Sequence, residues 1–316
     1  MSFDRILFEP WSLGDAIIAA AAYRLAGKNA AFACNSRWHP ILRVLLPTIS
    51  QEQLIAADLP YTAKFKTRFQ GLSEVRPLNP RIEVAEILSI RGDPRDWIAA
   101  RKFFPGARIR MSGSFQFFAR RSASLDFVAA HVGNVRNRYH AWAELLGVSK
   151  ESLYRSFQPD FTRPETGPVL IHLGAQWQSM QYPYVVELKR LIEGAGVKVT
   201  FLASPGDILP PDLSEKEVFW AVDNAMVEQL KTGRLLIAND SSGMHLAAYL
   251  GCPTLAIARI SNISEWIPPY VQTINSPSMP KGYRPDRAYV SDIQTQGWPE
   301  AKRVAEVALG ILKNGK

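Results

Sequence analysis

LLIANDSSGMHLAAYLGCPTLAIA, residues 235–258, passes from a short apolar run through a polar loop into a brief apolar helix, then out to a second apolar run. The pattern predicts a strand at 235–238, a loop at 239–243, a helix at 244–250 closed by Gly251, and a strand at 254–258 entered through Pro253. Two apolar strands joined by a helix belong to a parallel sheet with helices on its faces. The loop between them is built to hold an anion. Gly243 lets a ligand approach the backbone, the helix start offers N–H groups over residues 241–244, and the hydroxyls of Ser241 and Ser242 add donors. His245, in the first turn, is placed to donate to a phosphate or sugar oxygen, and Asp240 stands five residues before it. The plainer account of the same residues is that Asp240 or Ser241 caps the helix and His245 is a buried structural histidine.

The alternation extends in both directions. In the second half a strand at 169–173, a helix at 184–193 closed by Gly194 and Gly196, a strand at 197–202 and a short helix at 227–231 precede the quoted stretch. In the first half a strand at 5–8, a break at 10–15 and a helix at 16–26 lead to a strand at 30–34. A strand at 84–90, a helix at 95–104, a strand at 107–111 and a helix at 134–146 ending at Gly147 follow. Residues 158–167 hold three breakers in ten and read as a linker. The expected architecture is α/β: two doubly wound Rossmann-like domains, 1–160 and 161–298, facing a central cleft between the carboxyl ends of their sheets, where ligands of such folds bind. A last helix, within 299–316, follows a Pro-rich stretch at 267–285 long enough to return it to the first domain.

Composition narrows the class. The chain has 316 residues, 47% hydrophobic and 21% charged, the makeup of a globular protein of two ordinary domains. It holds no run of about 18 apolar residues and no leader-like start, so a cytoplasmic protein is expected. Its two cysteines, Cys34 and Cys252, sit in apolar runs and read as core residues rather than a disulfide or metal pair. Residues 1–150 carry 21 Lys and Arg against 12 Asp and Glu, whereas residues 151–316 carry 16 against 17. A polyanionic partner should therefore meet the first half, unless the charge only keeps the surface solvated. Two long irregular stretches there, 55–80 and 112–124, place Lys64, Lys66, Arg68, Arg120 and Arg121 among aromatic residues and are candidates for holding such a partner. No nucleic-acid-binding motif accompanies the charge, so no nucleic acid is expected. No Asp-x-Asp pair or His-Glu-x-x-His motif occurs, and neither a metal nor a cofactor is expected.

Near the amino terminus residues 11–17 read WSLGDAI, with Gly14 and Asp15 opening the first helix. On its own Asp15 reads as an N-cap. In the longer strings, however, the chain resembles the bacterial heptosyltransferase family, glycosyltransferase family 9, of GT-B type. The Asp, hydroxyl and glycine residues at 240–243, the His-Leu-Ala-Ala at 245–248 and the Leu-Gly and Pro that follow are similar to the family signature. ARISNISEWIPPY at 258–270, Ser-Leu-Gly-Asp at 12–15 and NVRNRYHAWAELLGV at 134–148 extend the resemblance over nearly the full length.

The resemblance implies an inverting, metal-independent glycosyltransferase. Asp15 would be the catalytic base, with Gly14 beside it on the acceptor side. Asp240, Ser241 and His245 would bind the donor, joined by Ser242, Gly243 and Gly174. Asp207, in a turn after a strand, is a ribose or sugar partner, or simply forms the turn. The implied partners are an ADP-heptose-like nucleotide diphosphate sugar and a phosphorylated glycolipid or glycan acceptor such as a lipopolysaccharide core, met at the anionic inner face of the inner membrane. Two departures stand out. Met180 occupies the place of a lysine in the family's Lys-x-Trp-Pro block, and Ser242 replaces a commoner glycine. Either the donor differs from the usual one, or another cation, Lys189 or Arg259, compensates. A nucleotide-sugar epimerase or hydrolase of the same build, and a binding protein that has lost transfer, are the competing expectations.

Overall fold

The computed structural model describes residues 1–59, 70–78, 82–90, 94–111, 137–157, 164–175, 180–259, 266–275 and 298–314. The chain divides into two compact units, Met1–Ser156 and Phe157–Lys316.

The first unit is a parallel sheet of five strands: β1 (Ser2–Glu9), β2 (Ala30–Cys34), β3 (Leu54–Ala56), β4 (Glu83–Ser89) and β5 (Arg108–Met111), in the order β3-β2-β1-β4-β5. Its helices among the described residues are α1 (Leu13–Tyr23), α2 (His39–Leu45), α3 (Pro94–Phe103), α4 (Arg138–Leu146) and α5 (Lys150–Arg155). Strand β2, AAFAC, is buried at every position because helices cover both faces of such a sheet. One face packs Ile6, Phe8, Ala31, Ala33, Ile87 and Ile109 against Ala99, Ala100, Phe103 and Phe104 at α3. On the other side α1 lies against β1 and β2 and under α4, so it is buried from Gly14 to Ala22 and needs its alanine-rich, all-round apolar sequence.

The second unit is a parallel sheet of six strands: β6 (Val169–His172), β7 (Val199–Ala203), β8 (Val218–Trp220), β9 (Leu235–Asn239), β10 (Thr254–Ala258) and β11 (Gln272–Asn275), ordered β11-β10-β9-β6-β7-β8. Among the described residues its helices are α6 (Val185–Gly194), α7 (Asp223–Thr232), α8 (Ser242–Tyr249) and α9 (Ala301–Asn314). Val169, Ile171, Phe201, Ile237 and Ile257 point to the face covered by α6 and α9, whose Leu188, Ile192, Val304, Ala308 and Leu312 close the core. Helix α9, for which a return to the first domain is the sequence expectation, thus has its buried face in the second unit and packs on α6.

In each sheet the first strand is central and the strand order reverses beside it, between β1 and β4 and between β6 and β9. At such a reversal the connections leave to opposite faces and open a crevice at the carboxyl ends. The structure corrects several boundaries. Helix α1 begins at Leu13 rather than 16, α7 covers Asp223–Thr232 rather than 227–231, and α8 begins at Ser242 rather than 244. Strands β3, β8 and β11 and helices α2 and α5 are too short to carry a period in the sequence. Among the described residues no helix is long and apolar enough to cross a membrane.

Candidate functional site

The second sheet's reversal point is assembled from the last residues of β6 and β9 and the start of α8. Asn239, the final residue of β9, is buried and works as a clamp. Its Nδ2 donates to the carbonyls of Leu173 at 3.0 Å and Gly174 at 3.4 Å, and its Oδ1 accepts from the Tyr182 N–H at 2.9 Å. Both ends of the segment after β6 are thereby tied to β9. Tyr182 continues the wall: its hydroxyl donates to the Pro299 carbonyl at 2.8 Å, and its ring meets Trp298 edge-on at 5.6 Å.

Next to the clamp, His172 ends β6 with only 5% of its surface exposed. Its Nδ1 lies 3.3 Å from the Ser241 hydroxyl, and its ring lies flat enough on Gly243 that a Cβ there would meet three ring atoms at 2.8–2.9 Å. A Cβ on Gly174 would likewise meet His172 Cε1 at 2.8 Å and Asp207 Oδ2 at 2.5 Å. Both glycines are therefore demanded by the imidazole. Burial pushes the His172 pKa down from 6.5, and the nearby Asp207 carboxylate opposes this only in part. A neutral ring faces the loop.

Helix α8 has Ser241 as its N-cap residue, but the Ser241 side chain makes no capping bond. The Ser241 hydroxyl turns to His172 instead, and Asp240 accepts the Trp266 indole N–H at 2.6 Å. The capping account of Ser241 therefore does not describe the structure. Ser241 and Ser242 are half-exposed with Asp240, whereas Gly243 and His245 are buried, His245 one residue beyond the first three of the helix. First-turn N–H groups with no side-chain cap carry a partial positive charge that favours an anion. Asp207 accepts the Ser204 N–H at 2.7 Å in a turn completed by Gly206 at φ 94°, so it does form that turn, while its second role is to stand against His172.

In the first unit the reversal between β1 and β4 gathers carboxylates and guanidinium groups. Ser12 caps α1 through its hydroxyl, which accepts the Asp15 N–H at 3.3 Å and donates to Asp15 Oδ2 at 2.9 Å. Asp15 is thus the third residue of the helix and not its cap. Its other carboxylate oxygen is paired with Arg138, the first residue of α4. Gly14 is buried in the same turn. Beside them the Trp11 indole donates to the buried Asp96 at 2.6 Å, with the Arg95 guanidinium 4.6 Å above the indole ring. Lys64, Lys66, Arg68, Arg120 and Arg121 lie outside the described residues. Cys34 and Cys252 are buried and form no disulfide, and among the described residues no group of three or more His, Cys, Asp or Glu side chains is arranged to hold a metal ion.

No family model and no curated protein matches the chain. Solved structures do. A glycosyl transferase family 9 protein from Veillonella parvula superposes with a TM-score of 0.66 over 99% of this chain and 98% of its own, at 16% identity. The E. coli ADP-heptose lps heptosyltransferase II gives 0.61 at 14% identity over 99% of both chains. The E. coli heptosyltransferase WaaC with ADP gives 0.61 at 11% identity over 98% of this chain and all of its own. The chain has the fold of these transferases.

Against that fold, sequence reasoning singled out Asp240, Ser241, Ser242, Gly243, His245, Gly174 and Asp207, and the structure gathers them all around one imidazole and one helix start. It passed over His172, Asn239, Trp266 and Arg138. Position at the carboxyl end of the first or fourth strand of the unit was a signal available for His172 and Asn239. Nothing local marked Arg138 or Trp266, which act over sequence separations of 123 and 26 residues.

Proposed function

We propose that the protein is an inverting, metal-independent glycosyltransferase that moves a heptose-like sugar from a nucleotide diphosphate donor to a lipopolysaccharide-core or related cell-surface glycan. One arrangement carries this: a helix start that its N-cap residue Ser241 leaves without a side-chain bond, flanked by Asp240 and by the Ser241 and Ser242 hydroxyls, at the strand reversal where nucleotides bind in doubly wound folds. The fold shared with family 9 transferases, and the sequence motifs at both ends of the chain, support the same chemistry.

In the reaction an acceptor hydroxyl oxygen forms a bond to the anomeric carbon as the bond from that carbon to the diphosphate breaks. The hydroxyl proton passes to the Asp15 carboxylate. The departing diphosphate leaves with the electron pair, and its charge is met by the N–H groups at the start of α8. Asp240 accepts hydrogen bonds from hydroxyl groups of the donor, and His245 adds a donor close to the phosphates. Arg138 and Ser12 hold Asp15 by both oxygens and so fix its direction. The donor is ADP-heptose-like, and the acceptor carries phosphate and is met at the cytoplasmic face of the inner membrane.

The test is release of nucleoside diphosphate from ADP-heptose and other nucleotide sugars, with and without a phosphorylated core acceptor, and the anomeric configuration of the product by NMR. Acceptor-dependent release with inversion is expected. Equal release without acceptor would identify an epimerase or hydrolase instead, and the absence of any turnover or binding would sink the enzyme reading.

A further inference from the structure

The turn after β2 presents an exposed cation next to the segment that holds Asp15. Ser36–Trp38 forms a single 3-10 turn at the carboxyl end of that strand, capped by Asn35, and three links fix it. The Asn35 side chain accepts the Arg37 N–H at 3.2 Å, the Ser36 N–H and hydroxyl both donate to Asp58 at 2.7 Å, and the Trp38 indole N–H donates to the Trp11 carbonyl at 3.2 Å. The last link sets the place of the turn, because Trp11 directly precedes Ser12, whose hydroxyl caps α1 and bonds the Asp15 carboxylate. Arg37 is exposed, and its guanidinium carbon stands 4.1 Å over the centre of the Trp38 ring. Among the described residues no carboxylate or carbonyl bonds this guanidinium, and Asp58, the acid tied to the turn, has both oxygens on Ser36.

We propose that Arg37 binds a phosphate group of the acceptor glycan at this edge of the first sheet, with Trp38 as the positioning residue beneath it. The choice of ligand rests on the transferase reading of the protein. An indole offers the cation no hydrogen-bond acceptor, so the N–H donors of the guanidinium are left to a ligand, and two of them match the oxygens of a phosphate in parallel. A guanidinium is weakly hydrated and stacks on aromatic rings, so the contact with Trp38 orders it at little cost in solvation and reduces the entropy lost when phosphate arrives. The place selects the ligand further. A phosphate held by Arg37 brings the rest of its glycan to the Trp11–Ser12 segment, within reach of the carboxylate that takes the hydroxyl proton.

Calorimetry on the full chain compares a deacylated lipopolysaccharide core oligosaccharide that carries phosphate with the same oligosaccharide after phosphatase treatment, and with ADP. Arg37→Gln should weaken the phosphorylated form about five- to tenfold, the modest worth of a charged hydrogen bond at an exposed site, and leave the dephosphorylated form and ADP where they were. Arg37→Lys should fall between. Trp38→Phe, which keeps a ring under the guanidinium, should lose less than Trp38→Ala, and neither should weaken binding further once Arg37→Gln is present. Unaltered affinity in Arg37→Gln, equal losses for the two oligosaccharides, or no binding of either by the wild type would overturn the assignment. So would a loss confined to phosphatidylglycerol vesicles, which would move the phosphate from the glycan to a lipid headgroup. Failure to bind ADP with the phosphate contrast intact would instead remove the transferase reading and leave the Arg37 site standing.

Discussion

A Cβ on Gly243 would stand 2.8 Å from the His172 ring, which is itself buried at the end of β6 and packed beside Gly174. Gly243→Ala should therefore destabilise the second unit by about 1–3 kcal/mol, the usual cost of overpacking a filled interior, read as a lower urea midpoint at unchanged slope. The same burial makes His172 a pH-sensitive element. Its folded pKa lies below the ordinary 6.5, so the unfolded chain binds the proton more readily. Stability from this group is complete above 6.5 and is lost as pH falls from there through the lower folded value. Comparing pH-dependent unfolding of the wild type and His172→Gln isolates it, since His39 and His140 are also shifted down; an unchanged slope below 6.5 would show that His172 does not contribute. In the first unit, Asp15→Ala should abolish transfer and leave donor affinity nearly as it was. Full turnover in that variant would remove Asp15 from the chemistry.

Elements in this protein are joined by single polar side chains at strand ends, and Asn239 is the clearest of them. It satisfies the Tyr182 N–H and two carbonyls after β6, so Asn239→Leu strands buried polar groups at about 1–3 kcal/mol each. Nucleotide affinity should fall together with the melting temperature, because the clamp ties the segment after β6 to the strand that leads into α8; a stable variant with unchanged affinity would show the clamp to be dispensable. How far elements could be read from sequence follows from the same physics. Strands such as β2, β6, β9 and β10 were legible because burial on both faces makes them unbroken apolar runs. Strand β8 was not, since it has three residues and Phe219 is exposed, and β11 was not, since only Ile274 of its four residues is buried. At α8 the helix start was read two residues late because Ser242 and Gly243 are poor helix formers in isolation, and the packing of Gly243 on His172 overrides that preference. The Asp240–Trp266 and Asp15–Arg138 pairs were illegible for another reason: each joins elements whose closeness only the folded chain creates.

At the scale of the whole molecule the charge is divided by sequence: 21 basic against 12 acidic residues in the first 150 positions, near balance in the rest. The two proposed ligands should respond to salt differently as a result. An acceptor drawn by exposed lysines and arginines feels a field that salt screens over about 10 Å at 0.1 M and about 3 Å at 1 M. A donor diphosphate held by the first turn of α8 meets backbone N–H groups beside buried residues, which salt screens far less. Raising sodium chloride should thus raise KM for a phosphorylated acceptor steeply and KM for the nucleotide sugar much less, with kcat nearly constant. A dephosphorylated acceptor should lose most of the salt dependence along with the affinity. If both KM values climbed together, the basic half would be acting on the donor or on nothing specific. If neither moved, its charge would serve only to keep the surface hydrated.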